Sequence, residues 1–323
     1  MVTTYGSFWK LLSQSPYTML KVRRFSTIAS IAAATAVASS SSSPSSIFHS
    51  SAWIKGGNNN IAHNDGDLKS FSPKEFRSFK IIESEAVSPN TKRIVCALPS
   101  KDHVMGMDVA SLVMIKGQDS PEGKVVARPY TPTTLDADKG FFELVIKGYP
   151  EGNVSKYLCN LKAGDEVEVK GPFAKIKYEP NMKKEIGMIA GGSGITPMLQ
   201  VIQYILRNPD DKTKVHLIFA NNGDDDILLK DKLDALEKKH DNFNVTYILS
   251  TPSPKWKGEK GFVSKELISS KLPKPSNDSM IFICGPPPMY KALSGAKGPK
   301  GTQGEIDGAL KDLGYTIEQV YKF

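Results

Sequence analysis

The hydrophobic pattern of this chain changes period once, near residue 181, and that change limits the folds open to it. Between Phe76 and Lys170 the apolar residues fall in six short runs, RSFKII, KRIVCAL, ASLVMIK, VVARPY, FFELVIKGY and EVEVK, divided by turn residues such as Ala163-Gly164-Asp165. Six strands at that spacing predict an antiparallel barrel over residues 72–180, with Gly171-Pro172 ending the last strand. A short helical turn from Val154 to Leu161 is the one helical signal there. After Asn181 strand runs alternate with helical ones: Ile186–Ala190, then a helix with Met198, Val201, Ile202, Ile205 and Leu206 on one face. Thr196 is placed to cap that helix, Pro197 to begin it and Asn208-Pro209 to end it. Val215–Ala220, Val245–Ser250 and Ile281–Cys284 read as further strands, with a second helix over Ile227–His240. Strands alternating with helices predict a mostly parallel, Rossmann-like sheet covered on both faces over residues 181–323.

Three motifs fall at the ends of predicted strands: RPYTPT from Arg128, GGSGITPM from Gly191 and CGPPPMY from Cys284. Arg128 offers a charge-assisted clamp for a phosphate, Tyr130 a flat platform for a ring, and Thr131 a hydroxyl for the ring's heteroatoms. That combination suits a flavin. The glycines Gly191, Gly192 and Gly194 let backbone approach a dinucleotide phosphate, and the helix that follows presents its positive end to it. Cys284 ends an apolar strand, and Gly285-Pro286-Pro287-Pro288 is expected to carry the chain away from helix just after it. A Gly-rich turn alone fits any phosphate, so order and company carry the reading.

With its NMKK, IGMIAGGSGITPMLQV, DDILLK, WKG and terminal VYKF stretches, the chain from Ser72 to Phe323 resembles the NADH-cytochrome b5 reductase family, and most of all its plant mitochondrial form. The resemblance implies an FAD-binding barrel followed by an NAD-binding domain, with FAD and NADH as cofactors. It implies hydride transfer from NADH to FAD and then single electrons to a haem acceptor, cytochrome b5 or a similar protein. It places Thr131, Lys147 and Cys284 at the reacting centre. It assigns cofactor contacts to Arg128, Pro129, Tyr130, Thr131, Val145, Lys147, Gly152, Asn153, Val154 and Ser155. On the nicotinamide side it assigns Gly191, Gly192, Ser193, Gly194, Thr196, Pro197, Ser250, Cys284, Gly285 and Pro286. Two departures stand out. Where the family has Gly-Lys-Met-Ser at the FAD phosphates, this chain has Gly152-Asn153-Val154-Ser155, losing a charge and a long apolar side chain. Where the family has an acid after the strand aligned with Val245–Leu249, this chain has Ser250-Thr251. Asp224, Asp225 or Asp226 could supply that charge instead. Phe323 is expected in or at the end of a C-terminal strand, not as a ring-stacking terminus.

The net charge of +8 is unevenly spread. Lys10, Lys21, Arg23, Arg24 and Lys55 give residues 1–64 a charge of +5 with no acid, leaving +3 on residues 65–323. A body so close to balance lacks the basic stripe of a nucleic-acid binder. The first 64 residues, rich in Ser, Thr and Ala, read as a mitochondrial transit peptide and flexible linker, with Arg23-Arg24-Phe25-Ser26 as a processing site. Thr27–Ala38 is apolar but falls well short of the roughly 20 residues that span a bilayer, so at most weak membrane association is expected. The location is expected to be the mitochondrion. Cys96, Cys159 and Cys284 stand alone, so no metal or cluster site is expected and electrons must leave the flavin for another molecule. The hydride step needs no general acid or base, only positioning and exclusion of water. A reductase serving ferredoxin or a nitrate reductase module is the rival enzyme. A nucleotide-binding redox sensor without turnover is the rival from another class.

Overall fold

The first six strands close around one apolar core because each puts every second side chain inward. In the computed structural model, which describes residues 68–118 and 123–323, they are β1 (Arg77–Ser88), β2 (Thr91–Ala97), β3 (Ser111–Lys116), β4 (Ala127–Tyr130), β5 (Phe141–Lys147) and β6 (Glu166–Ala174). All their pairings are antiparallel, in the order β4-β3-β6-β1-β2-β5. The alternation is plain in β3, where Val113 and Ile115 are buried between half-exposed neighbours. The two end strands approach each other: the Thr133 N–H, just past β4, donates to the Glu143 carbonyl of β5 at 2.9 Å. Phe71, Phe79 and Phe142 fill the interior edge to face, with centroids 5.1 to 5.4 Å apart. The expected short turn is a full helix, α1 (Asn153–Asn160), whose Val154 and Leu158 plug the same core.

The second half is a parallel sheet buried on both faces. It comprises β7 (Glu185–Gly191), α2 (Ile195–Arg207), β8 (Lys214–Asn221), α3 (Lys230–Lys239), β9 (Phe243–Leu249), β10 (Glu259–Lys260), α4 (Lys265–Lys271), β11 (Ser279–Cys284), α5 (Pro287–Leu293), α6 (Gly308–Asp312) and β12 (Val320–Lys322). The strand order is β10-β9-β8-β7-β11-β12, every pairing parallel. The chain runs outward from β7 to β10 and then crosses back to β11. That reversal opens a crevice beyond the carboxyl ends of β7 and β11, where open α/β sheets bind ligands. One face of the sheet packs Leu217 and Phe219 against α2, and its core takes in Ala110, Val145 and Tyr178 from the barrel side. The other packs Ile218, Ile268, Ile281 and Leu310 together.

Four local expectations are corrected. Gly171-Pro172 does not end β6, which runs on to Ala174 and pairs Phe173 and Ala174 with Leu112 and Ser111 of β3. Thr196 does not cap α2: a 3-10 turn over Gly192–Gly194 runs straight into the helix, Gly194 is the residue before it, and the Thr196 hydroxyl donates to the Ser193 carbonyl at 3.2 Å. The second helix begins at Lys230, not Ile227, because Asp224–Asp226 forms its own 3-10 turn and Leu229 takes a left-handed φ of 58°. The proline run does not turn the chain from helix but starts one. Pro287 and Pro288 occupy the first turn of α5, where a missing N–H costs nothing. Phe323 does lie at the end of a C-terminal strand, its N–H donating to the Ile283 carbonyl at 2.9 Å and its ring against Phe282 and Tyr321. The transit-peptide and linker region falls outside the described residues.

Candidate active site

β4 is an edge strand, which is why Pro129 is tolerated there, and it exposes Arg128 and Pro129 while Tyr130 leans back on the barrel core. Among the described residues the Arg128 guanidinium donates only to the neighbouring Ala127 carbonyl, at 3.0 Å, and no carboxylate pairs with it. An exposed, uncommitted cation beside a ring fits a phosphate-bearing flavin. Burial pushes the Tyr130 hydroxyl well above its usual range, so it stays protonated at neutral pH and can both donate and accept. Thr131 follows, half-exposed. At the other end of β5, Gly152 precedes α1, whose first N–H groups no side chain caps. An anion is the natural partner for that end. Ser155 accepts from the Tyr149 N–H at 3.3 Å, Asn153 is exposed, and Val154 is buried against Gly117. The Val154 side chain is therefore closed to a ligand, which leaves only its backbone. The same holds for Val145, whose side chain is buried in the core shared with the sheet domain.

The glycines of the β7–α2 turn differ from one another. Gly192, with a φ of 53°, has open space where a Cβ would stand, so its backbone faces the crevice. Gly191 and Gly194 instead allow close packing: a Cβ on Gly191 would meet Pro286 and Met289 at 2.9 Å, and one on Gly194 the Cys284 carbonyl oxygen at 2.2 Å. The second and third sequence motifs are thus in direct contact. Pro197 lies buried in the first turn of α2. Cys284 is half-buried near Tyr290, and desolvation pushes its thiol up, so it is a protonated neighbour of the crevice and not a nucleophile. The Tyr290 hydroxyl donates to the Phe323 carbonyl at 2.6 Å. Gly285 and Pro286 pack against Gly191.

Contacts that the sequence reading does not anticipate join the two halves. Gln200 and Gln203 are buried on α2; their amides donate to the carbonyls of Pro132 and Thr133 at 3.3 and 2.7 Å, and Gln200 accepts from the Ser111 N–H at 3.3 Å. The helix that follows the Gly-rich turn thereby holds the loop that follows Arg128-Pro129-Tyr130. Lys147 also joins the halves: its ammonium lies 2.7 Å from Asp226 of the sheet domain, both partly buried. Tyr149, half-exposed, has its hydroxyl 3.5 Å from that of Ser193. The only signal for the glutamines was their spacing of three on an otherwise apolar helix, which marks a helix buried on two sides.

Two half-sites built for a flavin and a nicotinamide dinucleotide, facing one crevice across a shared core, define a two-domain flavin-dependent electron-transfer reductase. Sequence comparison agrees: the profile described as "Oxidoreductase FAD-binding domain" matches residues 78–178, and that described as "Oxidoreductase NAD-binding domain" matches residues 188–295. The chain is 49% identical over 246 residues to NADH-cytochrome b5 reductase 2 of Yarrowia lipolytica, covering 76% of this chain and 84% of that one. It is 47% identical over 263 residues to an NADH-cytochrome b5 reductase-like protein of Arabidopsis thaliana, covering 80% of each. The cytochrome b5 reductase domain of Ulva prolifera nitrate reductase superposes with a TM-score of 0.70 at 32% identity, over 80% of this chain and all of that domain. The chain belongs to the NADH-cytochrome b5 reductase family, an oxidoreductase that uses FAD and NADH.

Proposed function

We propose that this chain carries electrons from NADH through FAD to cytochrome b5 in the mitochondrion. The observation that carries the reading is the joint made by α2: its amino end forms the dinucleotide turn and its Gln200 and Gln203 hold the loop after Tyr130. FAD, when bound, supplies the chemistry, accepting a hydride and releasing electrons one at a time. The residues supply placement. Arg128 and the uncapped start of α1 bind phosphates of the flavin nucleotide; Tyr130 and Thr131 orient its ring. Gly192 opens the turn to the nicotinamide dinucleotide, while Cys284 and the Lys147–Asp226 pair bound the meeting point and keep water out. The mitochondrial address rests on residues 1–64, and weak membrane association through that segment is part of the proposal. Among the described residues no helix is long and apolar enough to cross a membrane. The test is a yellow protein whose flavin absorbance bleaches anaerobically with NADH and returns on adding cytochrome b5, together with import and trimming near Phe25 by isolated mitochondria. Flavin that NADH does not bleach would leave only the sensor reading.

Nicotinamide choice has its own signature. Ser250 follows β9, with its N–H on the Asn221 carbonyl at 3.1 Å and its hydroxyl 3.4 Å from the Asn222 side chain. Of the nearby acids, Asp224 accepts from the Ser253 N–H and hydroxyl at 2.9 and 3.0 Å, which hold its carboxyl below the usual range, and Asp226 is committed to Lys147. Asp225 is the exposed one. A rim of hydroxyls and amides repels a 2′-phosphate less than a carboxylate does. Ser250→Asp is therefore expected to enlarge the ratio of kcat/KM for NADH over NADPH. An unchanged ratio removes Ser250 from the specificity site.

A further inference from the structure

Asn221 is the last residue of β8, and it is only 8% exposed. Both polar atoms of its side chain, Nδ2 and Oδ1, are buried with no hydrogen-bond partner. Among the described residues one other buried side-chain atom, Ser70 Oγ in the barrel, shares that condition. A buried amide with neither its donor nor its acceptor engaged is costly and calls for a physical reason. Its position supplies one. Strand alternation puts Asn221 on the same face as Leu217 and Phe219, which pack against α2, and not on the face of Ile218 and Ala220. The β7 and β8 register, with Gly191 opposite Ala220, sets Asn221 one step beyond the last pair, level with the open Gly192 turn. On its other side it is paired with Leu249, whose successor Ser250 donates to the Asn221 carbonyl. The main chain of Asn221 is thus satisfied and its side chain is not.

We propose that the Asn221 amide binds a ribose diol of the nicotinamide dinucleotide. The inference rests on the functional reading above. An amide edge offers one donor beside one acceptor, and a vicinal diol offers one acceptor beside one donor, so a single contact satisfies both orphan atoms. It also carries no charge, in keeping with the neutral rim of Asn222, Ser250 and Thr251. Asn221 is a positioning residue for the dinucleotide: it touches a part of NADH that does not react.

The measurement compares wild type with Asn221→Leu, which keeps the volume and removes the amide, and with Asn221→Ala in case leucine disturbs the strand. FAD content and the melting temperature without nucleotide report the fold; the rise in melting temperature on adding NAD+ or ADP-ribose reports binding. Both variants are expected to keep their flavin and to melt no lower than a cavity accounts for. The KM for NADH should rise roughly tenfold, the effect of two lost neutral hydrogen bonds, with kcat far less changed. The temperature rise from NAD+ and from ADP-ribose should shrink together. Unchanged KM and unchanged ligand response overturn the proposal, as does loss of the NAD+ response with the ADP-ribose response intact, which would assign the amide to the nicotinamide carboxamide. Bleaching of the wild-type flavin by NADH is read separately, so failure of the cofactor reading itself would show there.

Discussion

Arg128→Ala is expected to leave purification mostly colourless. The guanidinium is exposed at an edge strand and among the described residues bonds only the carbonyl beside it, so its loss removes no described contact that holds the barrel together. What it removes, on the proposed assignment of Arg128, is a charge-assisted bond to a phosphate, worth about 1.5 to 3 kcal/mol. At about 1.4 kcal/mol per factor of ten, flavin binding should weaken by between about ten- and a hundredfold. Asn153 and Val154 sharpen the expectation. Where the family has a lysine and a methionine, this chain offers the flavin phosphates an exposed amide and a buried valine, so Arg128 carries more of the charge complementarity. The check is the flavin-to-protein absorbance ratio after extensive dialysis, with far-UV circular dichroism to confirm the fold. A full complement of FAD in the variant would detach this motif from the flavin.

The architecture was legible because side-chain period is a local property. Six alternating runs gave six antiparallel strands, and the alternation of apolar runs with helical ones gave the parallel sheet. The site was legible as three motifs but not as an assembly. Nothing in spacing links Lys147 to Asp226, which lies 79 residues further along the chain and closes the gap only because the end of β5 meets the 3-10 turn that follows β8. Gln200 and Gln203 read as polar interruptions until the loop they hold is in view. Helix starts were misplaced where a 3-10 turn preceded the helix, by the capping rule at Ile195 and by the apolar pattern at Lys230, since the turn moves the helix start without changing its apolar face. The three prolines after Gly285 misled for a related reason: proline stops a helix only from within, and here it begins one. Asn221 could not be singled out at all. An asparagine at a strand end is ordinary until its burial and its missing partners are known.

Gly194→Ala is expected to be far more damaging than Gly192→Ala, although local preference points the other way. Gly194 already has helical backbone angles, φ −63° and ψ −5°, so alanine there would restrict the unfolded chain and on that ground alone stabilise the protein. Packing reverses the sign. A Cβ on Gly194 would stand 2.2 Å from the Cys284 carbonyl oxygen and 2.6 Å from its carbon. Both are main-chain atoms at the end of β11 and cannot swing aside, so the strand end and the turn must part. Overpacking of that kind costs about 1 to 3 kcal/mol or more, and it separates the Cys284 segment from the Gly-rich turn at the point where the two build the crevice. Gly192 presents the opposite case. Its φ of 53° costs an alanine about 1 to 2 kcal/mol, yet nothing lies within 4 Å of the added methyl. Gly192→Ala should fold, keep FAD, and lose chiefly nicotinamide binding, because the methyl stands where the dinucleotide approaches. Melting temperature and the temperature rise caused by NAD+ separate the two: Gly194→Ala should fall furthest in the first, and Gly192→Ala should lose the second while remaining folded. A Gly194→Ala protein as stable as wild type would mean that the turn and the end of β11 are not locked together as the structure places them.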